Sequence, residues 1–185
     1  MRIIGLPILF LFFFSNSLFA QKAKQYYYYE NKDVGITLSA DKISAKYTDS
    51  IVFKVVLKNI SDDDILYLEN GYISGGDKYS VFINITAESN TIFEKEMKKL
   101  ESGEEKIYYL TLKISNLKEI RNYGILCANL NIQYITDMKR FKKIKDNKRV
   151  KWVNENTVVV TTDIINSMSG YSNLGTLNIL MSEFK

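Results

Sequence analysis

The sequence predicts an all-β protein built as a two-sheet sandwich. Three observations carry that expectation: apolar residues recur at every second position through most of the chain, the alternating runs are short, and turn-forming clusters separate them. The 185 residues carry 25 Lys and Arg against 21 Asp and Glu, for a formal net charge of +4.

The first twenty residues stand apart from this pattern. Arg2 precedes the apolar run from Ile3 to Phe14, and Ser15 to Ala20 supplies a small-residue exit, as in a secretory signal peptide cleaved after Ala20. The run is too short for an ordinary transmembrane helix, which needs about 20 residues. Residues 21–33 then read as an N-terminal tail, 34–165 as one domain, and 166–185 as a C-terminal tail or extra edge strand. Arg2 is the only charge in the signal, so cleavage lowers the net charge from +4 to +3 (4 minus 1). The expected product is exported to the periplasm, the cell surface or the extracellular space. No cysteine stands near the cleavage site to be acylated, and nothing in the mature part is apolar enough to span a bilayer.

Val34, Ile36 and Leu38 alternate with Gly35 and Thr37, and the clearest strand follows at Ile51, Phe53, Val55 and Leu57. Asn59 to Asp64 supplies turn residues, and Ile65 to Leu68 is a short apolar strand. Gly71, Gly75 and Gly76 mark a loop, Tyr79 to Thr86 alternates, and Thr91 to Phe93 is a shorter run. The charged stretch Glu94 to Glu105 holds a tight turn at Glu101-Ser102-Gly103-Glu104, after which Tyr108, Leu110, Leu112 and Ile114 form one face of a strand. Asn116 to Asn122 reads as a helical turn crossing between sheets. Tyr123, Ile125 and Cys127 share one parity, and Leu130, Ile132 and Tyr134 the other, so the segment is either one strand with a bulge near Ala128 or Asn129 or two strands. The last clear strand is Val158, Val160, Thr162 and Ile164. Seven or eight such strands favour an immunoglobulin-like Greek-key β-sandwich, with Tyr123 placed where a tyrosine corner is expected or, on the plain alternative, as an ordinary core tyrosine.

From about Ile51 to Ile165 the chain resembles bacterial extracytoplasmic immunoglobulin-like modules. The matching residues are Ile51 to Asn59, then Ser61-Asp62, Ser102-Gly103-Glu104-Glu105, and Tyr123-Gly124-Ile125. Such modules often have proline where this chain has Ser102. The resemblance implies a scaffold shared by adhesion modules, protease-inhibitor domains and spacers, and it carries over no catalytic residue.

Composition narrows the chemistry further. The chain has no histidine, which removes the usual general base near neutral pH and the commonest transition-metal ligand. Cys127 is the only cysteine, so no intramolecular disulfide forms; on its predicted inward parity it acts as a small hydrophobe. These features point to a non-enzyme without cofactor or metal. The mild positive charge suggests no nucleic-acid partner.

The sharpest binding candidate is the segment from Lys139 to Lys151, where Lys139, Arg140, Lys142, Lys143, Lys145, Lys148, Arg149 and Lys151 are opposed only by Asp146. These cations suit a protein or an anionic cell-envelope component, while Met138, Phe141 and Ile144, three apart, would face a membrane if the segment were helical. The plain alternative is a solvated β-hairpin whose lysines discourage aggregation. Asp62, Asp63 and Asp64, with Ser61, Asn59 and Glu69, offer oxygens to calcium, though in no EF-hand spacing. The four tyrosines Tyr26 to Tyr29 offer aromatic platforms, and Asn59 and Asn84 fit the N-glycosylation pattern. The function expected is a non-catalytic exported binding module. The alternatives are a structural envelope subunit assembling through sheet edges, with residues 166–185 as the pairing strand, and a protease inhibitor.

Overall fold

The structure, a computed structural model, describes residues 26–76, 79–87, 92–117, 124–144 and 148–182. It is mostly β, with two sheets enclosing one core. The smaller sheet has the order β1 (Tyr26–Glu30), β2 (Val34–Ala40), β4 (Ser50–Asn59), β9 (Glu105–Lys113), all antiparallel. Alternation places Ile36, Leu38, Ile51, Phe53, Val55 and Leu57 inward, all fully buried. The larger sheet runs β11 (Val150–Asn154), β12 (Thr157–Thr161), β8 (Glu94–Leu100), β5 (Ile65–Leu68), β10 (Ile125–Ile135), β13 (Gly170–Met181), β3 (Ser44–Ala45). Two further strands, β6 (Tyr72–Gly75) and β7 (Ser80–Ile85), join it through β10, which β7 pairs in parallel. Thirteen strands thus appear among the described residues, where the alternation suggested seven or eight.

The differences have local causes. Tyr26–Glu30, expected in a tail, is paired residue by residue with β2; Tyr27 and Tyr29 turn inward while Tyr26 and Tyr28 face solvent. The glycine-marked loop contains β6. Strand β8 carries five charged residues and no alternation, so it reads as a solvated stretch, yet Met97 and Leu100 are buried and it pairs on both sides. The expected strand ending at Ile164 stops at Thr161 and becomes helix α2 (Thr162–Met168), which buries Ile165. Ile114 opens a single 3₁₀ turn, Ile114–Asn116; the rest of the expected helical turn and the Tyr123 corner lie largely outside the described residues.

Strand β10 corrects the parity reading. Leu126, Ala128, Leu130, Ile132 and Tyr134 all point inward, whereas Ile125 is exposed and Cys127 is half-buried on the opposite face. The register shift does fall at Asn129/Leu130, but its extra residue is Gly175 on β13: Asn129 pairs Thr176 and Leu130 pairs Leu174. Residues 170–181, expected as a tail or edge strand, pair along nearly all of β10 and bury Leu177, Ile179 and Met181.

Two connections between the sheets meet at Asn59, the fully buried last residue of β4. Its Nδ2 donates to the carbonyls of Asp63 (2.9 Å) and Leu100 (3.0 Å), and its Oδ1 accepts from the Ser61 amide and hydroxyl. Its backbone N–H donates to Glu104 O, and its carbonyl accepts from Gly103 N. Gly103, at φ +80°, makes the expected turn at Glu101–Glu104 possible. Ser102 donates to Ser61 O at 2.6 Å, joining the two loops directly.

Replacing Asn59 by Asp keeps the shape but removes both donations to buried carbonyls. A loss of roughly 2–4 kcal/mol is expected, seen as a lower urea midpoint with an unchanged slope. Deleting residues 166–185 uncovers β10 and the apolar side chains it shares with β13. The shortened chain is expected to lose cooperative thermal unfolding; a sharp transition within a few degrees of the intact protein's would contradict that.

Candidate functional site

The described residues of the Lys139–Lys151 segment form neither a hairpin nor a free loop. It holds helix α1 (Met138–Lys142), capped by Asp137, whose Oδ1 accepts from Arg140 N at 2.8 Å, and it ends in β11. Met138 and Phe141 are buried and Ile144 packs against the core. The Phe141 ring meets Trp152 edge-on, at 6.1 Å between centroids and 78° between planes. The three residues expected to face a membrane therefore face the protein. On the other side Lys139, Arg140, Lys142 and Lys143 are exposed, as are Lys148, Arg149 and Lys151. Arg149 is engaged, with Nη1 2.6 Å from Asp163 Oδ2. Lys145 lies outside the described residues. The structure thus places three of the predicted cations, Lys139, Arg140 and Lys142, on one short, anchored helix, with Lys143 at its C-cap.

The acidic run does not assemble a site. Asp62 and Asp63 are exposed, Asp64 lies 3.7 Å from Lys99 Nζ, and Asn59 Oδ1 is occupied by Ser61. Among the described residues no cluster of three or more carboxylate or cysteine ligands forms. Asn84, like Asn59, is buried with its amide nitrogen committed, donating to Ser74 Oγ at 2.9 Å, while its Oδ1 accepts from Asn131. Neither asparagine is placed as a glycan acceptor. Burial pushes the Cys127 thiol up, away from a reactive thiolate.

A second polar cluster has no counterpart in the sequence reading. Glu69, just after β5, is held by Lys106 of β9 and by Lys98 of β8 at 3.2 Å. Lys106 Nζ also lies 5.5 Å from the Tyr67 ring centroid and 5.4 Å from that of Tyr108. Tyr108 donates to Leu68 O across the sheets at 2.7 Å. Burial alone would raise the Glu69 carboxyl, but the hydrogen bonds from Lys106 and Lys98 outweigh it and hold the group below its ordinary value. Burial, and then the Glu69 carboxylate, push the Tyr67 phenol up to about 12; burial also raises Tyr108. The members come from three strands in two sheets, so no local spacing announces them.

The fold and its surfaces define an all-β, two-sheet protein with a cationic helical knob at one end of the larger sheet. None of its described helices is long and apolar enough to cross a membrane. No protein-family model, curated protein or solved structure matches the chain.

The tyrosine cluster sets an alkaline limit. Folding holds the Tyr67 proton more tightly than the unfolded chain does, so this contribution is present below pH about 10 and is lost as pH rises towards about 12. At the acid end, the lowered Glu69 contributes above the ordinary carboxylate range and is lost as pH falls through its folded value. Tyr67→Phe is expected to flatten the decline of the urea midpoint between pH 10 and 12. An unchanged slope in that variant would remove Tyr67 from the account.

Proposed function

We propose that this chain is a non-catalytic, exported binding module whose preferred contact is an anionic cell-envelope component, met through the cations around α1. The observation that carries the reading is the orientation of that helix. Its apolar side chains are spent in the core, so what remains outside is a set of cations on an anchored support. Such a surface attracts phosphate or carboxylate groups by charge and has no apolar face with which to enter a bilayer. A peripheral contact with headgroups or an acidic polymer follows, and an acidic protein surface presents the same chemistry.

The scaffold belongs to the same proposal: an immunoglobulin-like Greek-key sandwich carrying its recognition at the end of a sheet. Supporting it, the connections β4–β5 and β8–β9 both change sheet. The parallel β7–β10 pair and the number of strands are its departures from that pattern. The chain's signal-like N-terminus supports export. Assembly as a structural subunit is less favoured, because the C-terminal strand that would pair with a neighbour is used inside the domain.

The test compares the purified chain with a Lys139→Gln, Lys142→Gln, Lys143→Gln variant on vesicles with and without phosphatidylglycerol, and on immobilised lipopolysaccharide, at low and high salt. Each lysine near an anionic surface contributes roughly 1 kcal/mol, so the three together are expected to weaken binding roughly a hundredfold. High salt is expected to do the same to the parent. Retention indifferent to both salt and the triple change would reject the reading.

A further inference from the structure

The smaller sheet ends in β9, which pairs β4 on one side and, among the described residues, no strand on the other. Its nine residues keep one unbroken register with β4. Edges are normally shortened, bulged or covered, because their unpaired N–H and C=O groups accept another strand. Other edges of this protein are treated in that way: β3 has two residues, β1 has five, β11 shifts register between Trp152 and Asn154, and β13, which β3 covers only at its end, carries the Gly175 bulge. Strand β9 is neither short nor bulged, and its inward-facing Lys106 is already paired with Glu69. Beside it residues 106–110 line an open groove of about 260 Å³ with Glu69, Asn70 and Gly71.

The outer face of β9 carries Glu105, Ile107, Tyr109, Thr111 and Lys113, all exposed. Ile107 is 40% and Tyr109 66% exposed, which leaves apolar area at the free edge. Read outward from Tyr109, this face complements itself. A two-fold axis through Tyr109, normal to the sheet, sets a second β9 antiparallel to the first with both outer faces on the same side. Glu105 then lies opposite the second copy's Lys113, Ile107 opposite its Thr111, and Tyr109 opposite its counterpart. Paired residues share a face, so the axis must pass through a residue, and only Tyr109 pairs all nine positions. Each unlike charge pair occurs twice. Lys113 has no ion-pair partner among the described residues, and Glu105 keeps Lys58 at 3.3 Å on its other side. On the inner face Leu110, half-buried at the groove, lies opposite the second copy's Tyr108.

We propose that two copies of this chain associate through β9, joining their four-stranded sheets into one sheet of eight strands (4 plus 4) about a two-fold axis at Tyr109. Charge selects a second copy over other strands. An unrelated extended peptide meets the same backbone edge, but only a strand with a cation opposite Glu105 and an anion opposite Lys113 meets both charges, and β9 itself is such a strand. Strand β1 is not: it holds one charge, Glu30, and no cation. The pair closes on its own two-fold, unlike an open-ended assembly, and no residue of α1 takes part in it.

Sedimentation of the purified chain over a range of concentrations is expected to show a monomer in equilibrium with a dimer. Glu105→Lys alone, or Lys113→Glu alone, sets two like-charge pairs across the axis and is expected to weaken the dimer about thirtyfold, with the circular dichroism spectrum unchanged. Mixed in equal amounts, the two variants oppose unlike charges again, so the mixture is expected to regain the parent's affinity, as is the double variant by itself. Damage to the fold would not be repaired by mixing. In a Cys127→Ser background, Tyr109→Cys is expected to form an intermolecular disulfide on mild oxidation, because Cα atoms paired across the axis lie about 4.5–5.5 Å apart, whereas Thr111→Cys is not. A peptide of residues 105–113 is expected to compete for the edge at least about tenfold better than an uncharged Thr-Val repeat of the same length. A monomer at every concentration, growth beyond the dimer, a dimer indifferent to both charge changes, a mixture that stays monomeric, or equal competition by the two peptides would overturn the assignment.

Discussion

Everything that crosses between the two sheets near their charged rim depends on one buried amide. An amide side chain has two donor hydrogens and an oxygen that accepts twice, and at Asn59 all four are used within the β4–β5 and β8–β9 connections. Its backbone adds two more bonds to the turn that carries Gly103. Because water cannot reach the site, no unmet group would be compensated, and the two loops are fixed relative to each other as one corner. The stagger of β4 against β9, and of β5 against β8, starts from that corner. Lys106, Glu69 and Tyr108 then close the rim a few residues further on, joining the sheets a second time.

This corner also explains what the sequence made visible. The residues of Ile51 to Asn59, Ser61 and Ser102 to Glu104 that suggest an immunoglobulin-like module are, in the structure, the strand that ends in Asn59 and the loops that satisfy it. Strands β2, β4, β5 and β7 were legible because each holds apolar residues in a half-buried or fully buried run. Strand β8 was not, since a strand paired on both sides is held by its backbone and needs only Met97 and Leu100 in the core. In β10, Ile125 and Cys127 are apolar but face outward, and residue type alone chose the wrong face. Parallel pairing of β7 with β10 brings together segments more than forty residues apart, for which alternation holds no signal.

The candidate sites divide in the same way. The cations of residues 139–151 were plain as a run of charge, and the spacing of Met138, Phe141 and Ile144 announced a helical face. Spacing specifies a face, not the medium it meets; Trp152, ten residues beyond the helix, lies against Phe141 and helps settle that it is the core. The Glu69 cluster was invisible because its members come from β5 and the residue after it, from β8 and from β9, one or two from each, and only the packing of the two sheets brings them together.

The pairing of β10 with β13 has a consequence for how the chain reaches this state. Strand β10 holds a central place in the larger sheet, yet a partner along nearly its whole length is β13, the last of the described strands. During synthesis the inward residues Leu126, Ala128 and Leu130 are made some fifty positions before the strand that completes their sheet. Closing that distance is a slow, non-local event. The chain therefore passes through a stage with one side of β10 unpaired and open to chaperones. Completion of the fold is in this way coupled to emergence of the C-terminal segment, and it is timing, as much as contact area, that this late strand controls.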